Sequence, residues 1–332
     1  MWFEKLVGFS EENPEQVRAN LIVENEHIIS KINNKSYCCG TLEIPSLSSL
    51  KQKAPDLQGF SNKIKVSEVV GNVQNLHQDP DNAGAVFQVA SQFNLLEMTS
   101  SGVIPEQGVG IYEHDYTQGP SCAIACGAGT IYRNYFVKIG NQIGQTRDVQ
   151  IDCLDDMGSY LGNHNSELWQ MRNGYALASK EGLKKITNKI KSLDNSEYEH
   201  LKGMLKVGVQ WNTEVTLSEM KNKVTQVYCS ALPITYSGIE NEHWEVFAKL
   251  VLSATYEAAF YTALINYSKN GNGKLFLTLV GGGVFGNDKT WILEAIENAV
   301  TKFRNTPLDI RIVSYKQPDF LVNEFIRKIM ST

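Results

Sequence analysis

Two rhythms of hydrophobic and polar positions divide this chain. Up to about residue 60, short apolar runs ("NLIV" from Asn20, "KSYCCGTLEI" from Lys35) are broken by polar turns. This reads as an N-terminal extension, residues 1–60, packed on a core, with the polar stretch "PSLSSLKQKAPDLQG" at its end. From Ile64 the runs lengthen. "KIKVSEVVGNV" and "GAVFQVASQF" are rich in Val, Ile and Phe and predict strands, with the acidic turn "LHQDPDNAG" between them. A long polar loop, "TSSGVIPEQGVGIYEHDYTQGP", leads to "SCAIACGAG", whose small residues predict a short helix packed closely on a sheet. "TIYRNYFVKIG" then predicts another strand.

Residues 141–223 read as an insertion, helical where Leu177, Leu183, Ile186, Ile190 and Leu193 recur at mostly helical intervals. The last third has the plainest pattern. "KVTQVYCSALPI" is a strand, "WEVFAKLVLSATYEAAFYTALINYS" a long and mostly apolar helix ended by Asn270-Gly271, and "KLFLTLV" a buried strand of parallel type. A helix capped by Asn287 or Asp288 follows, with Ile292, Ala295, Ile296, Ala299, Val300 and Phe303 on one stripe. "DIRIVSY" is the final strand. Strands alternating with helices predict an α/β domain over residues 61–332 with a mixed, largely parallel sheet.

Composition narrows the function classes. At 332 residues and 42% hydrophobic the chain can bury a full core, and its formal charge of -5 lacks the basic face that nucleic acid demands. No window approaches the uncharged apolar length of a membrane span, and the first residues carry no secretory pattern. Cys38, Cys39, Cys122, Cys126, Cys153 and Cys229 have spacings that suit neither a disulfide framework nor a zinc site. Reduced thiols and a cytoplasmic location are the expectation, with no metal and no cofactor.

The chemistry concentrates at "GGGVFG", residues 281–286. Gly281, Gly283 and Gly286 satisfy a dinucleotide fingerprint in spacing, yet the acid such a site needs at the end of the next strand is absent: Asp309 stands at that strand's start. The P-loop spacing fails too, because Asn287 and Asp288 separate the last glycine from Lys289-Thr290. What remains is a glycine loop between a strand and a helix N-terminus, where bare amides and the helix dipole favour a phosphate.

The order "long helix, KLFLTLV, GGGVFG, helix, TPLDIRIVSY" resembles the C-terminal third of macrodomains, the ADP-ribose-binding α/β modules. The resemblance implies a three-layer α/β/α fold in which Gly281, Gly282, Gly283, Val284 and Gly286 hold a pyrophosphate and Phe285 lies against a ribose. It covers residues 230–316 well and 64–138 less closely. "AVFQVASQFN" resembles the family's strand that ends in an asparagine facing the distal ribose, which implies Asn94, with Gln92 as the alternative. The family's first glycine-rich loop is replaced by "GIYEHDYTQGPSCAIACGAGT", and its early acidic segment is missing. Those loops resemble the arginine-specific ADP-ribosylhydrolases related to a bacterial ubiquitin-directed effector.

Breaking an ADP-ribosyl bond at the anomeric carbon calls for carboxylates that activate water and stabilise a cationic transition state. Asp115, Glu113, Asp79 and Asp81 are the candidates, with Glu113 and Asp115 sharing a face if their segment is extended. Gln118 and Gly119, at the start of a helix, could donate amides to the ligand. His77 and His114 are set aside as isolated loop histidines. The expected activity is hydrolysis of mono-ADP-ribosyl protein, with a non-catalytic ADP-ribose reader as the alternative. ADP-ribose and an ADP-ribosylated protein are the expected partners, with neither nucleic acid nor membrane.

Overall fold

A computed structural model describes residues 1–331; Thr332, the end of the expected domain, lies outside the described residues. Its centre is a seven-stranded sheet made of β1 (Thr41–Glu43), β2 (Lys65–Val70), β3 (Val86–Ala90), β4 (Gly208–Glu214), β5 (Lys223–Cys229), β6 (Lys274–Leu277) and β7 (Asp309–Ser314). The spatial order is β1-β4-β5-β3-β6-β7-β2. The last five strands in that order run parallel, while β4 is antiparallel to both its neighbours.

Helices cover both faces, giving the expected three-layer α/β/α arrangement with a mixed, largely parallel sheet. On one face lies the helix Asn241–Asn270, closed by Gly271 in the left-handed conformation. It is apolar nearly all round and packs on the sheet, while Leu47–Lys53, Lys180–Lys191, Asn195–Gly203 and Lys289–Lys302 pack on it in turn. Its polar stripe is narrow, formed by Glu242, Glu245, Lys249 and Ser253 along the first half, because neighbours bury the other sides. On the other face stand Val73–Gln78, Gln118–Ala125 and Gly127–Tyr135.

Three sequence expectations change here. The run "TIYRNYF" is a helix, Gly127–Tyr135, and not a strand. Seven of its residues besides Gly127 are buried, which erases the periodicity that separates the two. The segment 141–223 is not wholly an insertion, since β4 belongs to the main sheet. Leu177 lies in a hairpin (Trp169–Arg172 with Tyr175–Ala178), not in the helix that follows it. The extension, for its part, supplies the edge strand β1 and a three-stranded sheet of its own (Leu21–Glu24, His27–Ser30, Ser36–Cys38). Its Phe3, Leu6, Val17 and Ile28 form a second core with Ile131 and Tyr135.

All six cysteines are buried and free. No described helix is long and apolar enough to cross a membrane, and no described cluster of three or more His, Cys, Asp or Glu is placed to hold a metal ion.

Candidate functional site

The carboxyl ends of β2, β3, β5, β6 and β7 open onto one cleft, the place where parallel α/β sheets collect ligands. A cavity of about 290 Å³ lies between the glycine loop and the start of the helix Gln118–Ala125, and a second of about 570 Å³ continues toward the ends of β2 and β7. Both are lined by Asp115, Thr117, Gln118 and Thr278.

The glycine loop is shaped before any ligand arrives. Gly281 has φ +78 and sits against Ala231, so an added Cβ would collide there. Asn287 closes the loop, donating its backbone N–H to Gly281 O at 2.9 Å and its Nδ2 to Leu232 O at 2.8 Å. Thr235 straps it from the side: its Oγ1 donates to Val284 O at 2.5 Å and its N–H to Phe285 O at 3.2 Å. The amides of Gly281, Gly283, Val284 and Phe285 donate no hydrogen bond to any described residue, and all four residues line the smaller cavity. Gly282 and Gly286 do not line it. They serve the turn, with Gly286 donating to Gly283 O at 3.0 Å.

The facing wall is the start of the helix Gln118–Ala125. Its first two amides have no intrahelical partner, so they too are free to meet an anion. Gly119 packs so closely on Ala90 O that any side chain would collide with it. The Gln118 side chain is fully used: Oε1 accepts from Ala90 N–H at 2.9 Å and Nε2 donates to Gln88 O at 2.8 Å, extending β3 sideways.

Asp115 lies between the walls. Its Oδ1 accepts from Thr117 N–H (2.9 Å) and Thr117 Oγ1 (2.6 Å), and Oδ2 has no hydrogen-bond partner among the described residues. Glu113 is not its extended neighbour. The segment Gly110–His114 is a 3-10 helix, and Glu113 Oε2 accepts from Trp2 N–H at 2.8 Å at the edge of the larger cavity. Asp79 and Asp81 are elsewhere: Asp79 caps the turn Pro80–Asn82 ahead of β3, and the Asp81 carbonyl accepts from Lys274 Nζ at the start of β6. Both therefore sit at the amino ends of the strands, across the sheet from the cleft. Between Gln92 and Asn94, it is Gln92 that lines the cavity, paired to both backbone groups of Met98. Asn94 is fully buried behind it, donating to Gln150 Oε1 at 2.8 Å.

Several lining residues escaped the sequence reading. Glu97 is buried beside Gly119 and meets Arg133, whose guanidinium lies 3.1 Å from Glu97 Oε2, 3.7 Å over the Tyr228 ring, and donates Nε–H to Leu95 O at 2.9 Å. Burial pushes the Glu97 carboxyl up against the opposing pull of Arg133. Leu95, held by that bond, has φ +66, a costly conformation for a leucine. The signal for the pair was a lone acid in "FNLLEM" and a lone base in "TIYRNYF", complementary charges stranded in apolar runs. Tyr175, from the hairpin, and Tyr236 form a ring cluster with Phe285 at centroid distances of 5.3 and 5.7 Å.

The sequence matches no protein-family model and no curated protein. Among solved structures the chain is similar to a poly(ADP-ribose) glycohydrolase from Thermomonospora curvata, at 12% identity and TM-score 0.45 over 95% of each chain. The same enzyme bound to the inhibitor ADP-HPD gives 12% and 0.46 over the same shares. A third match is the glycohydrolase from Deinococcus radiodurans in complex with ADP-ribose, at 10% and 0.45 over 87% of this chain and 94% of that one. These neighbours are bacterial glycohydrolases.

Proposed function

We propose that this cleft binds ADP-ribose and that the protein hydrolyses an ADP-ribosyl bond, with mono-ADP-ribosylated arginine as its substrate. The observation that carries the reading is the set of six amides that donate to no described residue, four on the glycine loop and two at the facing helix start, that border one small cavity with a carboxylate at its side. A diphosphate suits such a cradle, since each amide gains a charge-assisted bond without loop rearrangement. The larger cavity, bordered by Trp2, Tyr116 and Tyr315, has the room and the aromatic walls for a nucleoside.

Hydrolysis then proceeds by attack of water at the anomeric carbon. Asp115 Oδ2 accepts the water proton as the C–O bond forms, while the C–N bond breaks with its electron pair going to the guanidine. The departing nitrogen is protonated from solvent, and Asp115 releases its proton to solvent to complete the turnover. The flanking carboxylate also favours the oxocarbenium-like transition state. Arginine follows from the loop resemblance and from what surrounds the site: an acid and the Tyr175–Tyr236–Phe285 rings form a setting for a planar cation.

A second reading, a reader that binds without cutting, is favoured by the double commitment of Asp115 Oδ1 to Thr117. Calorimetry with ADP-ribose tests the cleft, and incubation with an arginine-ADP-ribosylated peptide tests the chemistry. Binding with no release of ADP-ribose leaves the reader standing, and no binding removes both.

A further inference from the structure

The N-terminal extension reaches the acid-bearing loop through a half-buried clamp. The segment Pro105–Thr117 has no strand to pair with and holds only short 3-10 turns, so something else must fix the direction of Asp115. Glu11, between the helices Trp2–Val7 and Pro14–Asn20, supplies it. Its Oε1 accepts from Val109 N–H at 3.0 Å and from Tyr135 Oη at 2.6 Å, and its Oε2 accepts from Gly110 N–H at 2.5 Å. The carboxylate has no cationic partner among the described residues. It caps the amino end of the 3-10 helix Gly110–His114, where free amides call for an acceptor.

The loop is cut to receive this group. Gly108 has φ +88, and a Cβ there would lie 2.5 Å from Glu11 Oε2, while one at Gly110 would lie 2.7 Å from the same atom. Trp2 holds both ends of the turn: its N–H donates to Glu113 Oε2 at the far end, and its Nε1 donates to Val109 O at 3.2 Å beside the Glu11 contacts. Asp115 hangs directly from the clamped turn, its N–H donating to Tyr112 O at 3.1 Å. Tyr112 is in turn fixed beneath the cleft, its hydroxyl accepting from Glu97 N–H.

We propose that Glu11 is a positioning residue, which clamps the turn Gly110–His114 so that Asp115 faces the glycine loop. This rests on the role given to Asp115 above. The extension is then a working part of the site, although it contributes no group to the smaller cavity.

The test uses the full chain with Glu11→Ala, Glu11→Gln and Tyr135→Phe. For Glu11→Ala, kcat on an arginine-ADP-ribosylated peptide falls about tenfold to a hundredfold, the range expected for a misplaced reacting group. The Kd for ADP-ribose stays within about twofold, because the glycine loop stands on the other wall. Tyr135→Phe, which removes one donor of three, gives a smaller loss of kcat. Glu11→Gln, which keeps an acceptor for one amide, falls between. Amide exchange quickens at residues 109–117 and is unchanged at 281–286.

Full kcat in folded Glu11→Ala overturns the clamp, as does an equal loss of kcat and ADP-ribose affinity. Should Glu11→Ala not fold, Glu11→Gln and Tyr135→Phe carry the same split between kcat and Kd. Should the wild-type protein release no ADP-ribose, the hydrolytic reading fails by itself, and exchange at 109–117 alone decides the clamp: faster in the variants upholds it, unchanged overturns it.

Discussion

Replacing His77 with phenylalanine removes a titratable ring buried between the helix Val73–Gln78 and the sheet. The ring is fully buried and stacked on Phe87 at 3.7 Å, with Phe87 stacked in turn on Phe276 at 4.4 Å. Its Nδ1–H donates to Val73 O at 2.7 Å, which leaves Nε2 to accept from Gln226 Nε2 at 3.0 Å. Protonation would set donor against donor at that contact and place a cation among aromatic rings. Burial accordingly pushes the His77 pKa down to about 4 from its ordinary 6.5. A depressed folded-state pKa means that stability is whole above the unfolded value and is lost as pH falls through the folded one. The full loss is about 3 kcal/mol, of which about 2 kcal/mol has gone by roughly pH 5. The assay is urea unfolding of the wild-type protein and His77→Phe at about pH 7 and pH 5. Phenylalanine keeps the ring stack, and Gln226 keeps its bond to Cys122 O. The variant starts lower at pH 7 by about 1 kcal/mol for the hydrogen bonds lost. Between the two pH values it should lose about 2 kcal/mol less than the wild type, with other titrations cancelling. Equal losses in the two proteins would refute the claim that His77 is held neutral by burial.

Three further outcomes are expected. Asp115→Asn, which keeps the Thr117 bonds in part but removes the base, should lower turnover about 100-fold with ADP-ribose affinity little changed; unchanged turnover in a steady-state assay takes the reaction away from this residue. Gly281→Ala forces a left-handed alanine against Ala231, so it should cost about 2 kcal/mol in thermal unfolding and weaken ADP-ribose binding by calorimetry. Wild-type affinity in this variant would remove the loop from the site. Burial pushes the Asp152 carboxyl up to about 6 from 3.8, so its contribution is whole at low pH and lost as pH rises through about 6. Asp152→Asn, able to keep the acceptor for Leu154 N–H, should therefore be more stable than wild type by about 1–2 kcal/mol at pH 8 and no more stable near pH 3.5, with partial exposure discounting the figure.

The C-terminal third was legible because each element there announces its own limits. Asp288 caps the helix Lys289–Lys302, Gly271 ends the long helix, and the apolar stripe Ile292 to Phe303 is buried as read. The acids were harder. Asp79 and Asp81 lie close in sequence to the cleft strand β3 but precede it, and in a parallel sheet the residues leading into a strand lie at the opposite edge from those leaving it. Asp115 comes after β3 and arrives in the cleft. Asn94 and Gln92, two apart in an irregular segment, could be told apart only by the fold of the loop Gln92–Met98, which long-range partners such as Arg133 and Gln150 hold. Glu11 was invisible for the same reason, since its three donors lie about 100 residues or more away.

The edge strand β2 has one neighbour, β7, with Lys65 opposite Asp309. On a ribosome adding roughly 5–20 residues per second, β2 would emerge on the order of 10–50 s before its partner exists. Throughout that interval Val66 and Val69 have no sheet to join, and the segment can be captured by another chain. Expression yield should therefore depend more on chaperone supply during synthesis than on the stability of the finished fold.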